Sequence, residues 1–201
     1  RILARLRVGQ TARCLGPLGR PFHPPKNRSM PLLIGGGFGI APLLLLGSVL
    51  RHDEYQPRVF YGGRTAADLA LRQTFETRGF PLVLATEDGS LGFHGRITTA
   101  LEQYLDTCAV PTTLYACGPG PMLAAVARIA ELRGLKAQVS LDPWMGCGMG
   151  TCLGCVVRTR KQDEERPRYR CACTDGPVFD SSEVVWTDDI DARTRVGEFA
   201  P

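Results

Sequence analysis

The sequence predicts an α/β protein: a doubly wound parallel sheet of five strands with crossover helices, followed by a small β-rich domain. Three observations carry this. From residue 31 to residue 140 short apolar runs alternate with longer amphipathic segments, the pattern of strand, crossover helix and parallel strand. A cluster of glycines, Gly35, Gly36, Gly37 and Gly39, falls where the first apolar run meets the first amphipathic segment. After Leu141 the texture changes to Gly, Cys and Pro, so a loop-rich unit follows the sheet.

Taken in order, residues 1–22 read as one strand-rich end of a larger unit, with 13–15 extended and Gly16-Pro17-Leu18-Gly19 as a turn. They are too few to make a domain alone. His23-Pro24-Pro25 stiffens the chain as a linker, because proline fixes φ and restrains the residue before it. Strands are then expected at residues 31–34, 58–61, 81–86, 112–116 and 136–140, and helices at 40–51, 65–78, 96–106 and 121–133. The four leucines from 43 to 46 are expected in the core. The charged insert at 160–166 reads as a solvated hairpin tip, and residues 188–201 as an edge strand or a disordered tail. The resulting division is 1–28, 29–140 and 141–201.

Composition excludes several classes of function. With 44% hydrophobic residues, a 201-residue chain can bury a real core. The net charge is +4 and the Lys and Arg residues are scattered, unlike the concentrated basic face that nucleic acid requires. The longest apolar run, residues 40–50, is about half the roughly 20 residues that span a bilayer, so no transmembrane helix is expected. The chain starts at Arg1 without a recognisable leader. His23, His52 and His94 stand far apart, and no Ser, His, Asp constellation emerges, so no catalytic acid, base or nucleophile is assigned. Of the eight cysteines, Cys14, Cys108 and Cys117 are dispersed while the rest crowd between 147 and 173. That asymmetry favours a metal site in a reducing compartment, the cytoplasm, over disulfides.

Cys147-x4-Cys152-x2-Cys155, followed by one more cysteine, is the ligand spacing of plant-type [2Fe-2S] ferredoxins. Gly148, Gly150 and Gly154 suit a loop that must turn its amides toward cluster sulfur. The spacing alone does not choose between Cys171 and Cys173 as the fourth ligand. The turn Thr174-Asp175-Gly176-Pro177 favours Cys173. A tetrathiolate zinc site, belonging to an interaction module without redox function, is the competing reading, but such sites prefer paired C-x2-C knuckles.

The glycine cluster joins the first expected strand to the first expected helix, where exposed amides and the helix dipole hold a pyrophosphate. It departs from the G-x-G-x-x-G register, and no acidic residue closes the second strand; Arg64 stands there instead. The same glycines also suit close packing of helix on sheet. Cys117, Gly118 and Pro119 follow the fourth strand and form a second candidate element, whose plain alternative is a rigid turn with a buried cysteine.

Residues 32–44 (LLIGGGFGIAPLL), 115–123 (YACGPGPML), 145–155 (MGCGMGTCLGC) and 173–179 (CTDGPVF) together resemble the electron-transfer subunit of class 1B dihydroorotate dehydrogenase. The likeness runs through nearly the whole chain. It implies a ferredoxin-reductase-like build: an FAD-binding β-barrel, of which residues 1–28 would be a remnant and linker, an NAD domain at 29–140, and a [2Fe-2S] domain at 141–201. It further implies that Gly35, Gly36, Gly37, Gly39, Cys117, Gly118 and Pro119 line the dinucleotide site, and that Cys147, Cys152, Cys155 and Cys173 hold the cluster. The flavin motifs of the family lie upstream of Arg1, so most of the flavin site is expected outside these residues. Two smaller departures are the longer span from Cys155 to Cys173 and Asp142-Pro143-Trp144.

Function follows from the same resemblance. In the family an FMN-containing catalytic subunit oxidises dihydroorotate in pyrimidine biosynthesis, and electrons pass through the [2Fe-2S] cluster and FAD to NAD+. The alternative of the same build is a reductase subunit of a hydrogenase or ferredoxin-NADP complex. Some of those relatives place Asp at the first cluster ligand, and Cys147 argues against them.

Overall fold

The computed structural model describes residues 5–160 and 166–186. Five strands form the centre of one sheet: β1 (Met30–Gly36), β2 (Arg58–Gly63), β3 (Leu82–Thr86), β5 (Thr112–Cys117) and β6 (Lys136–Ser140). Two short strands extend it to seven, in the order β4-β3-β2-β1-β5-β6-β9. β4 (Phe93–His94) pairs in parallel with β3, and β9 (Val178–Asp180) pairs antiparallel with β6. β7 (Val156–Thr159) and β8 (Arg168–Cys171) form a separate antiparallel hairpin.

β5 is buried along its whole length and β1 along all but its ends, as expected for strands covered on both faces. Successive residues of β1 point to opposite layers. Leu32 and Ile34 join a core with Leu101 of α3 (Ile97–Thr107) and Leu123 and Val126 of α4 (Gly120–Leu132). Leu33 joins the other layer, with Leu43, Leu46 and Leu50 of α1 (Ile40–His52) and Phe75 of α2 (Arg72–Thr77). The helical period decides which leucines enter. Leu43 and Leu46 are buried, whereas Leu45 is 71% exposed and Leu44 only packs against the core's edge, correcting the expectation of four core leucines.

Two other expectations change. The single helix expected at 65–78 is broken into a 3-10 turn, Ala66–Asp68, and the six-residue α2. The break falls where the Asp68 carboxylate turns back to accept the N–H groups of Arg64 and Thr65, each at 3.0 Å, which anchors the chain at the end of β2. Residues 5–22, expected to be strand-rich, contain no sheet strand; Arg20 alone makes an isolated bridge, to Pro177. The core of the charged insert, 161–165, and the tail from 187 lie outside the described residues.

β9 ties the cysteine-bearing segment to the sheet. Phe179 is 3% exposed and sits opposite Val139 of β6, and one continuous core joins Leu114, Val139, Cys155, Cys173 and Phe179. The linker is clamped to the same sheet: the Gln138 side-chain amide donates to the His23 carbonyl at 2.9 Å and accepts from its N–H at 2.9 Å.

Candidate functional site

Strand order locates the first site. From β1 the chain moves outward through β2, β3 and β4, then returns through α3 to the other side of β1 at β5. A doubly wound sheet opens a crevice at such a reversal, outside the carboxyl ends of the two strands. β1 ends in Gly35 and Gly36, and the register sets Gly35 opposite Cys117, the last residue of β5. The two candidate elements that lie some eighty residues apart in sequence therefore meet at one edge.

The glycines at that edge divide by role. A Cβ on Gly35 would lie 2.9 Å from the Ile40 backbone, one on Gly36 would lie 2.8 Å from Pro119, and one on Gly39 would lie 2.7 Å from Gly118 Cα. Gly118 in turn leaves only 3.0 Å to the Gly36 nitrogen. These positions let the β1 turn, the start of α1 and the residues 117–119 loop approach one another. Gly37 differs: its φ is +52° and a Cβ there would meet nothing within 4 Å. It is the open point of the loop, before a helix whose first turn has no side-chain cap and leaves N–H groups for an anion.

Cys117 lies at the floor of this crevice and is buried. Burial pushes its thiol up to about 11, against a smaller lowering by the Ser140 hydroxyl, so it stays protonated at neutral pH. At the end of β2, Asp68 supplies the carboxylate that the sequence reading did not place there. Its Oδ2 accepts both the Arg64 and the Thr65 N–H groups, and Arg64 Nε lies 4.0 Å from the same oxygen on a largely exposed side chain. The Thr-x-x-Asp capping pattern at 65–68 was the available signal.

The second site is the loop before β7. Its main chain folds onto its own sulfurs. Cys147 Sγ accepts N–H groups from Met149 (3.4 Å), Thr151 (3.3 Å) and Cys152 (3.4 Å). Cys173 Sγ accepts from Gly150 at 3.2 Å, Cys152 Sγ from Gly154 at 3.5 Å, and Cys155 Sγ from Cys173 at 3.4 Å. Left-handed conformations at Gly148 and Gly150, with φ of +72° and +86°, make this turn possible.

Cys155 and Cys173 are buried with their sulfurs 3.2 Å apart, whereas Cys152 is exposed and Cys147 partly so. The amides of Met149 and Cys152 pull the Cys147 thiol down to about 6. Among the described residues no three His, Cys, Asp or Glu side chains are gathered for a single metal ion. What fits the four cysteines to an iron-sulfur cluster is the amide cradle around their sulfurs, which stabilises thiolate and is the hydrogen-bonding that cluster sulfur takes. All eight cysteines are free, and no helix among the described residues is long and apolar enough to cross a membrane.

The comparisons with known proteins match two segments of this chain to described families. Residues 33–128 match the family described as the oxidoreductase NAD-binding domain, and residues 142–185 the iron-sulfur cluster binding domain of dihydroorotate dehydrogenase B. The dihydroorotate dehydrogenase B (NAD(+)) electron transfer subunit of Desulforamulus reducens is 35% identical over 92% of this chain and 70% of its own length. The subunit of the same name from Shouchella clausii is 40% identical over 91% and 68%. Among solved structures, that of the NADH-dependent reduced ferredoxin-NADP oxidoreductase superposes with a TM-score of 0.79 at 30% identity, over 96% of this chain and 67% of the other. The order of a dinucleotide-binding sheet and a thiolate loop, together with identity at this level over this much of both chains, makes this protein a member of the dihydroorotate dehydrogenase B electron transfer subunit family.

Proposed function

We propose that this chain carries electrons from a dihydroorotate-oxidising, FMN-containing catalytic subunit to NAD+ in pyrimidine biosynthesis, in the cytoplasm. The observation that supports it most is that one continuous core joins Cys155 and Cys173 to Leu32, Ile34, Leu114 and Ala116, on the two strands whose ends carry the glycine crevice. In this reading residues 141–201 form the cluster domain, residues 29–140 the NAD domain, and residues 1–28 belong with the flavin part. Cys147, Cys152, Cys155 and Cys173 would hold a [2Fe-2S] cluster. Gly35, Gly36, Gly37, Gly39, Cys117, Gly118 and Pro119 would receive NAD. When bound, the cluster exchanges single electrons and FAD converts them to the two-electron exchange with nicotinamide.

The chain's own residues contribute position and environment. The uncapped first turn of α1 faces the pyrophosphate, and Gly37 leaves room for its approach. Cys117, kept neutral by burial, offers the nicotinamide end a compact apolar wall without a competing charge. The amides of Met149, Thr151 and Cys152 favour the anionic form of the Cys147 sulfur. Around the exposed side of this loop stand Trp144, Met145, Met149 and Leu153, between 41% and 63% exposed. Such a patch marks a protein interface, and it supports docking of the catalytic subunit where electrons enter.

The test is purification with associated proteins from the native host, followed by assay with dihydroorotate. Dihydroorotate-dependent NADH formation by the isolated complex is the expected result. The structural likeness to the NADH-dependent reduced ferredoxin-NADP oxidoreductase favours a second reading, a reductase subunit of another iron-sulfur flavoprotein complex. A complex that ignores dihydroorotate but exchanges electrons between ferredoxin and nicotinamide would replace the first reading with the second.

A further inference from the structure

A cavity of about 400 Å³ opens at the β7–β8 hairpin and shares no residue with the glycine crevice or the cysteine loop. Among the described residues four arginines line it, Arg20, Arg160, Arg168 and Arg170, against one carboxylate, Glu183. They arrive on three separate segments rather than along one solvated face. Arg168 and Arg170 share a face of β8, and Arg168 pairs with Thr159, which sets Arg160 just past the end of β7. Arg20 is brought in by its bridge to Pro177 and by its N–H, which donates to the Gly176 carbonyl. The wall itself is packed. Arg170 Nη1 donates to Glu183 Oε2 at 3.1 Å, and the Glu183 carbonyl accepts the Arg160 N–H at 2.7 Å. The Arg170 side chain is only 23% exposed, with its guanidinium carbon 5.2 Å from the centre of the Phe179 ring.

We infer that this cavity is an anion site for the phosphate of a small molecule, either a nucleoside diphosphate or inorganic phosphate. A guanidinium stays charged at any physiological pH, so four cations face one carboxylate, and that carboxylate is already bonded to Arg170. The excess positive charge stands in a concave wall, which focuses the field on an incoming anion. Guanidinium forks also match phosphate oxygens two at a time. Gathering four like charges at one cavity does nothing for folding, whereas a bound polyanion offsets their repulsion. The volume lies in the range of small-molecule sites, which leaves room for more than a single phosphate.

The experiment titrates the full chain by calorimetry with ADP and, separately, with inorganic phosphate. Because the glycine crevice would itself take ADP, the titrated chain is Gly37→Val, compared with the same chain carrying Arg20→Gln and Arg160→Gln in addition. Both arginines are exposed, so the two glutamines should leave the thermal midpoint in place. ADP is expected to bind the Gly37→Val chain, and the glutamine changes to weaken it by about tenfold or more. Tighter binding of ADP than of phosphate assigns the site to a nucleotide diphosphate, and equal binding assigns it to free phosphate; either supports the inference. Failure of both probes to bind the Gly37→Val chain overturns it. So does equal affinity with and without the two arginines, which would put the anion elsewhere on the molecule.

Discussion

The thiols of this chain differ in what surrounds them, and each environment has a measurable consequence. Replacing Cys147, Cys152, Cys155 or Cys173 by Ser is expected to remove most of the visible absorption of the reconstituted protein, whereas Cys14→Ser, far from that loop in sequence, should not. A normal spectrum in Cys173→Ser would sink the ligand assignment. Cys117 behaves in the opposite way to a ligand. Its folded pKa is raised by burial to about 11, so the fold favours the neutral thiol, and this contribution to stability is full below the unfolded value near 8.5 and is lost as pH rises toward 11. Labelling with iodoacetamide at pH 8, read by mass spectrometry, should modify the exposed Cys14 and spare Cys117; prompt labelling of Cys117 would contradict its burial. The cysteine spacing was legible because ligand geometry imposes it on sequence. The division into buried Cys155 and Cys173 and exposed Cys152 was not, since it depends on how the loop folds against the core.

At the scale of elements, the five central strands were readable because each is a short run of buried apolar residues between turn formers. β4 and β9, two and three residues long, have no period to detect and exist only because a neighbouring edge offers hydrogen bonds. The break between residues 65 and 72 was missed because apolar spacing continues across it while Asp68 returns to the backbone. The glycine loop shows another limit. Sequence placed all its glycines together, but only the built backbone separates Gly35, Gly36 and Gly39, which close packing requires, from Gly37, which faces open space. That separation makes a controlled test possible. Gly37→Val introduces a β-branched residue at φ +52°, and Gly79→Val does so at φ +69° at another open position outside the crevice. Both carry a backbone penalty of roughly 1–2 kcal/mol. By calorimetric titration Gly37→Val should weaken NAD binding about tenfold or more, whereas Gly79→Val should lower stability without changing affinity. Equal affinity in the two variants would return the whole loop to a packing role.

At the scale of the molecule, the cysteine segment is not hung on the sheet by a tether. β9 completes the sheet beside β6, and Phe179 places its ring in the core shared by Leu114, Val139, Cys155 and Cys173. Nothing in the residues after 141 announced this, because a three-residue strand is recognised only by its partner. The arrangement predicts one cooperative unit, with the thiolate loop and the dinucleotide sheet losing order together. The four α-helices of the described residues lie between residues 40 and 132, so helical circular dichroism at 222 nm reports the helices packed on the sheet, while visible absorption reports the reconstituted cluster. In thermal unfolding the two signals should fall at the same temperature. Phe179→Ala removes a buried aromatic side chain at roughly 3–5 kcal/mol, which for a chain of this size lowers the midpoint by roughly 6–20 °C. The decisive observation is whether both signals move together. If the variant's cluster bleaches at a markedly lower temperature than its helices melt, β9 is a local latch of the cysteine loop, and the continuous core does not couple the two sites.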